Sequence, residues 1–341
     1  MVEKYLSFVT YNRYTVFITL LVVVFLLNKW TSILEKQLSL LWKKLKLSTS
    51  VRWATFDAIS SSLPEFLTSL IWLLILKEKW LEVWIWTIWW SAIFNVLVIP
   101  ALVLFFFKWK EINIDIKWIK RDSLFYMLSI LIFVLWLYFE KLFLMWVLLV
   151  TLYVLYTLYL YKQNINHKKA NTKEIEEIYK SVANQKVKIF NIFFSLFIIY
   201  VSIEASIVVV SFIWDKLHLS VLIVSLFLLA AITSVPDTLL SIKSAQKWHV
   251  DAWLSNAVWS NIFDICIWLW IPIVIWIWLL NLHPSIDFSS NIWVFIFLLI
   301  STFVYFYVLR NKNISYKDWF VLLAMYFLFI VYLIVVSTHL I

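Results

Sequence analysis

Two carboxylates stand inside stretches that are otherwise apolar. Glu65 lies in SSLPEFLTSL and Asp237 in TSVPDTLLSI, each directly after a proline and just beyond a Ser/Thr pair (Ser61-Ser62 and Thr233-Ser234). An ionised carboxylate inside a membrane is costly, and it usually marks an ion path. The preceding proline has no backbone donor and releases a carbonyl one turn earlier. A bound cation can satisfy such a carbonyl where the backbone lines a cavity. Two further segments add to this chemistry: WIWTIWWSAIFN carries Ser91 and Asn95, and WLSNAVWSNIFD carries Ser260 and Asp264. Residues four apart share one face of a helix. The four segments offer three carboxylates, an amide and several hydroxyl and backbone oxygens. Hard oxygen donors in that number suit Ca²⁺, which takes about six to eight of them. No Cys/His cluster points to a transition metal. A single buried acid is often only a paired structural residue. Two at equivalent positions of a repeat favour a site.

The elements that hold these residues must be membrane helices. The chain has 341 residues, is 64% hydrophobic and only 14% charged, and has a mean hydropathy of +0.91. A water-soluble fold cannot hide that much apolar surface. Apolar segments fall at 14–41, 53–76, 83–107, 123–139, 142–161, 189–213, 219–242, 252–280, 291–309 and 318–338. Each is long enough to cross about 30 Å of hydrocarbon, which predicts an all-α polytopic protein of about ten transmembrane helices. The run from Tyr14 shows no small-residue cleavage pattern and reads as a retained helix. The single cysteine, Cys266, excludes an intrachain disulfide. The formal charge of +9 reads as cytoplasmic loops rather than a nucleic-acid surface. Of the 29 Lys and Arg, 21 lie on the side of the loops after helices 1, 3, 5, 7 and 9, and six on the other. The expected arrangement is therefore a bacterial cytoplasmic membrane with both termini outside. The one long polar stretch, 162–188, is then a cytoplasmic linker or short surface helix.

The chain repeats itself. WKKLKLSTSV from Trp42 matches WDKLHLSVLI from Trp214, and Glu65 matches Asp237, both at an offset of 172. Pro64 and Pro236 share that offset, as do Pro100 and Pro272. Five helices separate matched points, and an odd number reverses direction across the bilayer, giving two inverted halves. The expected division is 1–161, with its motif at about 53–103; the linker 162–188; and 189–341, with its motif at about 225–275.

Glycine is absent from all 341 residues, whereas tryptophan occurs 23 times. Average usage of glycine is about 7%, and membrane helices use it to approach one another closely. Most tryptophans are therefore expected to stand where the working protein has glycine, as when UGA codons are decoded as glycine. A deliberate glycine-free redesign is the rival.

Read with glycine at those positions, the segments become GATFDAISSSLPEFLTSLIG, GIGTIGGSAIFN and SVPDTLLSIKSAQKGHVDAGLSNAVGSNIFD. These resemble the two repeats of the Ca²⁺/cation antiporter superfamily, sodium/calcium exchanger family, and SNIFD resembles its K⁺-dependent branch most. The resemblance implies ion ligands at Ser62, Glu65, Ser91, Asn95, Ser234, Asp237, Ser260 and Asp264, with backbone oxygens from Ala58, Ala230 and Thr233. Glu65, Asp237, Asp264 and Asn95 would hold the metal. It further implies exchange of Ca²⁺ for Na⁺ by alternating access, through sliding of helices 1 and 6, with K⁺ or H⁺ as further candidate ions. No covalent cofactor is expected, the bilayer is the partner, and a monomer suffices. Ser60 and Ile232 depart from the family, which has glycine there. Asp57 and Glu204 are further acids at membrane depth, readable as access-path charges or as locally paired acids. A Ca²⁺/H⁺ exchanger and, less well supported, a cation channel are the alternatives. No HExxH, nucleophile–base pair or phosphate loop suggests an enzyme.

Overall fold

The computed structural model describes residues 12–44, 58–76, 80–107, 112–113, 116–139, 142–170, 185–217, 230–246, 250–280, 288–310 and 313–339. Asp57 lies outside them. The described residues form ten helical runs. The first half has α1 (Arg13–Lys44), a broken pair α2 (Ala58–Ser61) and α3 (Leu63–Leu76), α4 (Trp80–Phe107), α5 (Ile116–Phe139) and α6 (Leu142–Ala170). The second half repeats the order: α7 (Ile189–Leu217), a broken pair α8 (Ala230–Thr233) and α9 (Val235–Gln246), α10 (Val250–Phe263) running through a π turn (Asp264–Trp268) into α11 (Trp270–Leu280), α12 (Phe288–Leu309) and α13 (Asp318–His339). The all-helical membrane architecture in two inverted five-helix halves is the one expected. Most described helix ends fall within a few residues of the expected ones. The fourth run begins earlier, at Ile116, taking in a charged turn, and α6 continues as helix through 162–170, the start of the stretch expected as a linker or short surface helix.

The inversion is visible residue by residue. The breaks fall at Ser62 and Ser234, 172 apart, and α2 and α8 begin and end 172 apart. Pro64 and Pro236 each sit at the second position of the following helix. A missing N–H is tolerated there, and the fixed φ suits a helix start. The chain still links across each break, Phe66 N–H donating to Ser62 O (3.2 Å) and Thr238 N–H to Ser234 O (3.0 Å).

The third and eighth spans form the centre. The windows Trp84–Phe107 and Asn256–Ile275 are each 72% buried, against 22% for Tyr14–Leu41 and 39% for Ile189–Val210. α1 and α7 lie outside this core as an antiparallel pair: Val16 packs with Val209 near one end and Trp30 against Phe194 toward the other. α1 also touches α2 and α9, and α7 touches α3. Three contacts join ends that the charge pattern assigns to one side. Ile112 and Asn113 form a two-residue β1 paired with Ile314 and Asn313 in β2, Lys188 N–H donates to Gln37 Oε1 (2.8 Å), and Lys243 Nζ donates to Ser32 Oγ (2.7 Å).

The tryptophans are built into the centre at a cost. Trp84, Trp89 and Trp270 are fully buried, and Trp86 is buried as well. Their indole N–H groups, and that of Trp268, find no acceptor among the described residues. An unpaired buried donor costs about 1–3 kcal/mol, so these positions carry a penalty that any smaller apolar residue would avoid. Trp259 differs, donating to Asp122 Oδ2 at 2.8 Å.

Candidate ion-binding site

The site is built where the two breaks meet the third and eighth spans. Because Ser62 and Ser234 interrupt their helices, both hydroxyls are turned toward helices of the opposite half. Ser62 Oγ is hydrogen-bonded to Ser260 Oγ at 2.7 Å, and Ser91 Oγ to Ser234 Oγ at 3.0 Å. The inverted repeat exchanges the second span with the seventh and the third with the eighth, so these two bonds are one contact made twice. A second pair obeys the same rule: Ser260 Oγ donates to Asp237 Oδ2 (3.0 Å) and Ser91 Oγ to Glu65 Oε1 (3.4 Å). Ser62, Glu65, Ser91, Asn95, Thr233, Ser234, Asp237, Ser260 and Asp264 are all buried, none more than 3% exposed. The structure therefore brings the expected side chains into one cluster at membrane depth.

The symmetry fails at one place. Asn95 Nδ2 donates to Asp237 Oδ2 at 3.3 Å. Its counterpart in the other half would join Asp264 to Glu65, two acceptors with no hydrogen between them. Asp264 Oδ1 and Glu65 Oε2 are both left without a hydrogen-bond partner among the described residues, as are Asp237 Oδ1 and Asn95 Oδ1. Four buried acceptor oxygens, one from each residue expected to hold the metal, are thus without a hydrogen-bond donor among the described residues. Buried polar atoms in proteins are otherwise almost always paired. Among the described residues no three acidic, histidine or cysteine side chains close on a single point as a ready metal centre. The cluster instead interleaves carboxylates with hydroxyls and amides, a donor set for hard cations.

Of the backbone positions, Ala58 O already accepts Ser62 N–H (2.9 Å) and the Ser61 hydroxyl (3.4 Å). Ala230 opens α8, and Thr233 is fully buried in it. The proline-released carbonyls belong to Ser60 and Ile232, where the chain departs from the family it resembles. Glu204 lies apart from the cluster on α7, where the Tyr200 hydroxyl one turn earlier donates to it. It is a locally paired acid.

Residues that the motifs alone did not mark hydrogen-bond to the candidate ligands. Asn261 Oδ1 accepts from Asn95 Nδ2 (3.1 Å), while its own Nδ2 donates to Ala92 O and to Tyr126 OH, both at 3.1 Å. Asn256 Nδ2 donates to Asp237 O (3.3 Å) and Ser241 Oγ (3.1 Å). Asn256 could have been found, because 256, 260 and 264 are spaced by four along one helical face. Nothing near Tyr126 in the sequence announces its role. The π turn beginning at Asp264 lets Leu269 N–H reach back to Asp264 O (2.8 Å). Such single π turns recur at functional positions. Asn261→Leu is expected to cost about 1–3 kcal/mol by stranding the groups it bridges. Thermal unfolding in detergent would read this as a lowered Tm, and an unchanged Tm would contradict the bridging role.

Comparison with known proteins gives the chain its family. The family pattern described as sodium/calcium exchanger protein matches residues 15–163 and 188–335. The chain belongs to the sodium/calcium exchanger family, a family of cation-exchanging membrane transporters rather than of catalytic enzymes. Sodium/potassium/calcium exchanger 3 of Homo sapiens is 37% identical over 99 residues, a stretch that is 29% of this chain and 15% of that relative. The Rattus norvegicus protein of the same name aligns over the same shares. Among solved structures, the fold is similar to the H⁺/Ca²⁺ exchanger CAX (TM-score 0.70, 16% identity, 98% of this chain and 85% of that one). It is also similar to the sodium-calcium exchanger NCX_Mj (TM-score 0.58, 20% identity, 92% and 98%).

Proposed function

We propose that this chain is a secondary active antiporter that exchanges Ca²⁺ for Na⁺ by alternating access. The observation that carries this reading is the set of four partnerless acceptor oxygens on Glu65, Asn95, Asp237 and Asp264. Three ionised carboxylates in a low-dielectric site are too costly to occlude without cations. Ca²⁺, or several Na⁺, neutralises most of that charge, and the two loads compete for the same oxygens. Each passage must then carry one or the other, which is obligatory exchange. Na⁺ is the preferred driver because the aligned relatives are named sodium/potassium/calcium exchangers, and K⁺ is a candidate co-ion on the same ground. The antiparallel α1–α7 pair, lying across the broken helices, is the element whose sliding opens the site to either face. Both termini outside and a cytoplasmic 162–188 segment suit the three contacts that join the basic-rich ends. A monomer holds every ligand named.

Purified protein in liposomes, with radiolabelled Ca²⁺ flux measured under Na⁺, K⁺ and H⁺ gradients in turn, tests this. The expected result is Ca²⁺ uptake driven by an outward Na⁺ gradient and none driven by pH alone. Uptake under the pH gradient alone would replace Na⁺ by H⁺ as the driver. Ca²⁺ conductance without any counter-ion would reject antiport.

A further inference from the structure

We infer that positions 84, 86, 89, 268 and 270 are glycine in the working protein. Composition alone said only that glycine is missing. The structure says where. Four of these five indoles are buried in the third and eighth spans, the most buried of the long apolar spans among the described residues, and the fifth, Trp268, is half-buried against Phe66 with ring centroids 4.1 Å apart. Each holds an N–H with no acceptor among the described residues. The polar side chains around them behave differently: Ser62, Ser91, Asn256, Ser260 and Asn261 all find partners. These five side chains pair within the cluster, whereas the indole donors beside them are stranded, so the hydrogen bonding there does not use the indoles. Glycine at the same positions strands nothing, since it adds no polar side-chain atom. It also permits the close helix approach on which membrane packing depends. The proposal is selective. It omits Trp259, whose N–H is used by Asp122.

A consequence follows for the ion site. Trp86, Trp89, Trp268 and Trp270 flank Ser91, Asn95 and Asp264 along the same two helices. Trp268 stacks on Phe66 of α3 and so stands between the eighth span and a broken helix, while Trp89 and Trp270 pack against Phe133, Phe295 and Trp136 of α5 and α12. Glycine lets those helices close, so that oxygens of Glu65, Asp237 and Asp264 converge on one cation. Peptide mass spectrometry of the protein purified from its native cells, with the codons at the five positions read from the gene, tests the assignment independently of any transport activity. Glycine masses at UGA codons are the expected result, and tryptophan masses at these positions overturn it. The consequence has its own test: two chains made with glycine or with tryptophan at all five positions, compared for ⁴⁵Ca²⁺ binding. The glycine chain should bind at least about tenfold more tightly. Equal binding would overturn the claim that the indoles keep the site open.

A different observation carries a second inference. A groove of about 370 Å³ runs between α5 and α12, walled by Leu124, Met127, Phe303 and Phe306, with Lys120 and Arg310 beside it. Lys120 and Arg310 are exposed and form no ion pair among the described residues, and the Arg310 guanidinium rests 4.1 Å over the Tyr307 ring. Both cations lie next to the β1–β2 junction, on the side rich in basic residues. The geometry points to an anionic phospholipid, its acyl chain in the groove and its phosphate between Lys120 and Arg310. Basic pockets between membrane helices on that side have this affinity. Native mass spectrometry of the detergent-solubilised protein with phosphatidylglycerol or phosphatidylcholine would decide. Retention of phosphatidylglycerol, lost in a Lys120→Ala/Arg310→Ala variant and in a groove-filling Leu124→Trp variant, is expected. Equal retention of both lipids, or competition by inorganic phosphate alone, overturns it.

Discussion

Glu65→Gln and Asp237→Asn should each abolish Na⁺-driven Ca²⁺ uptake while leaving the protein folded. The two changes keep size and hydrogen-bonding capacity, so the Ser91 and Ser260 hydroxyls retain an acceptor. What is lost is one negative charge beside a buried divalent cation. Removing one partner of a buried charge pair costs about 3–5 kcal/mol, which corresponds to a loss of about two to four orders of magnitude in Ca²⁺ affinity. Flux in liposomes, alongside a melting curve, separates the two effects. Vigorous exchange in either variant would dismantle the site described above.

Asp264→Asn is expected to move stability and function in opposite directions. Within the cluster, Asp264 is where the two halves differ in charge, standing against Asn95. An amide there can donate toward Glu65 as Asn95 donates toward Asp237, which completes the symmetry and removes a buried charge. The melting temperature should rise. Ca²⁺ binding should weaken by about tenfold to a hundredfold, from the loss of a charged interaction worth about 1.5–3 kcal/mol. Flux against Ca²⁺ concentration and a thermal melt on the same preparation suffice. A variant that melts lower and binds Ca²⁺ normally would assign Asp264 a purely structural role.

Much of this site is legible in the chain because an inverted repeat writes each functional element twice. Proline followed by an acid is ambiguous once; at 64–65 and again at 236–237 it marks both the helix break and a candidate ligand. Membrane spans are legible for a simpler reason, since the length of an apolar run is set by bilayer thickness. Helix ends are less so. Lys117, Lys120 and Arg121 look like a loop, yet Arg121 is held by Asp122 at 2.6 Å, and Asp122 also accepts from Tyr156 at 3.0 Å. That pairing lets charge continue into α5. The supports contributed by Asn261 and Tyr126 were illegible for a different reason. Their partners come from distant spans, and only three-dimensional packing brings a tyrosine of the fourth span to an asparagine of the eighth.

The small β1–β2 junction divides the labour of the molecule. Backbone hydrogen bonds tie the chain after the third span to the chain after the ninth, and neither strand touches α1 or α7 by pairing. The pairing joins the third and ninth spans directly, whereas α1 and α7 meet each other through side-chain contacts such as Trp30 on Phe194. In the exchange cycle proposed above, the tie would keep those two spans together while the outer pair slides, so that the part that travels would not be the part that holds the cation.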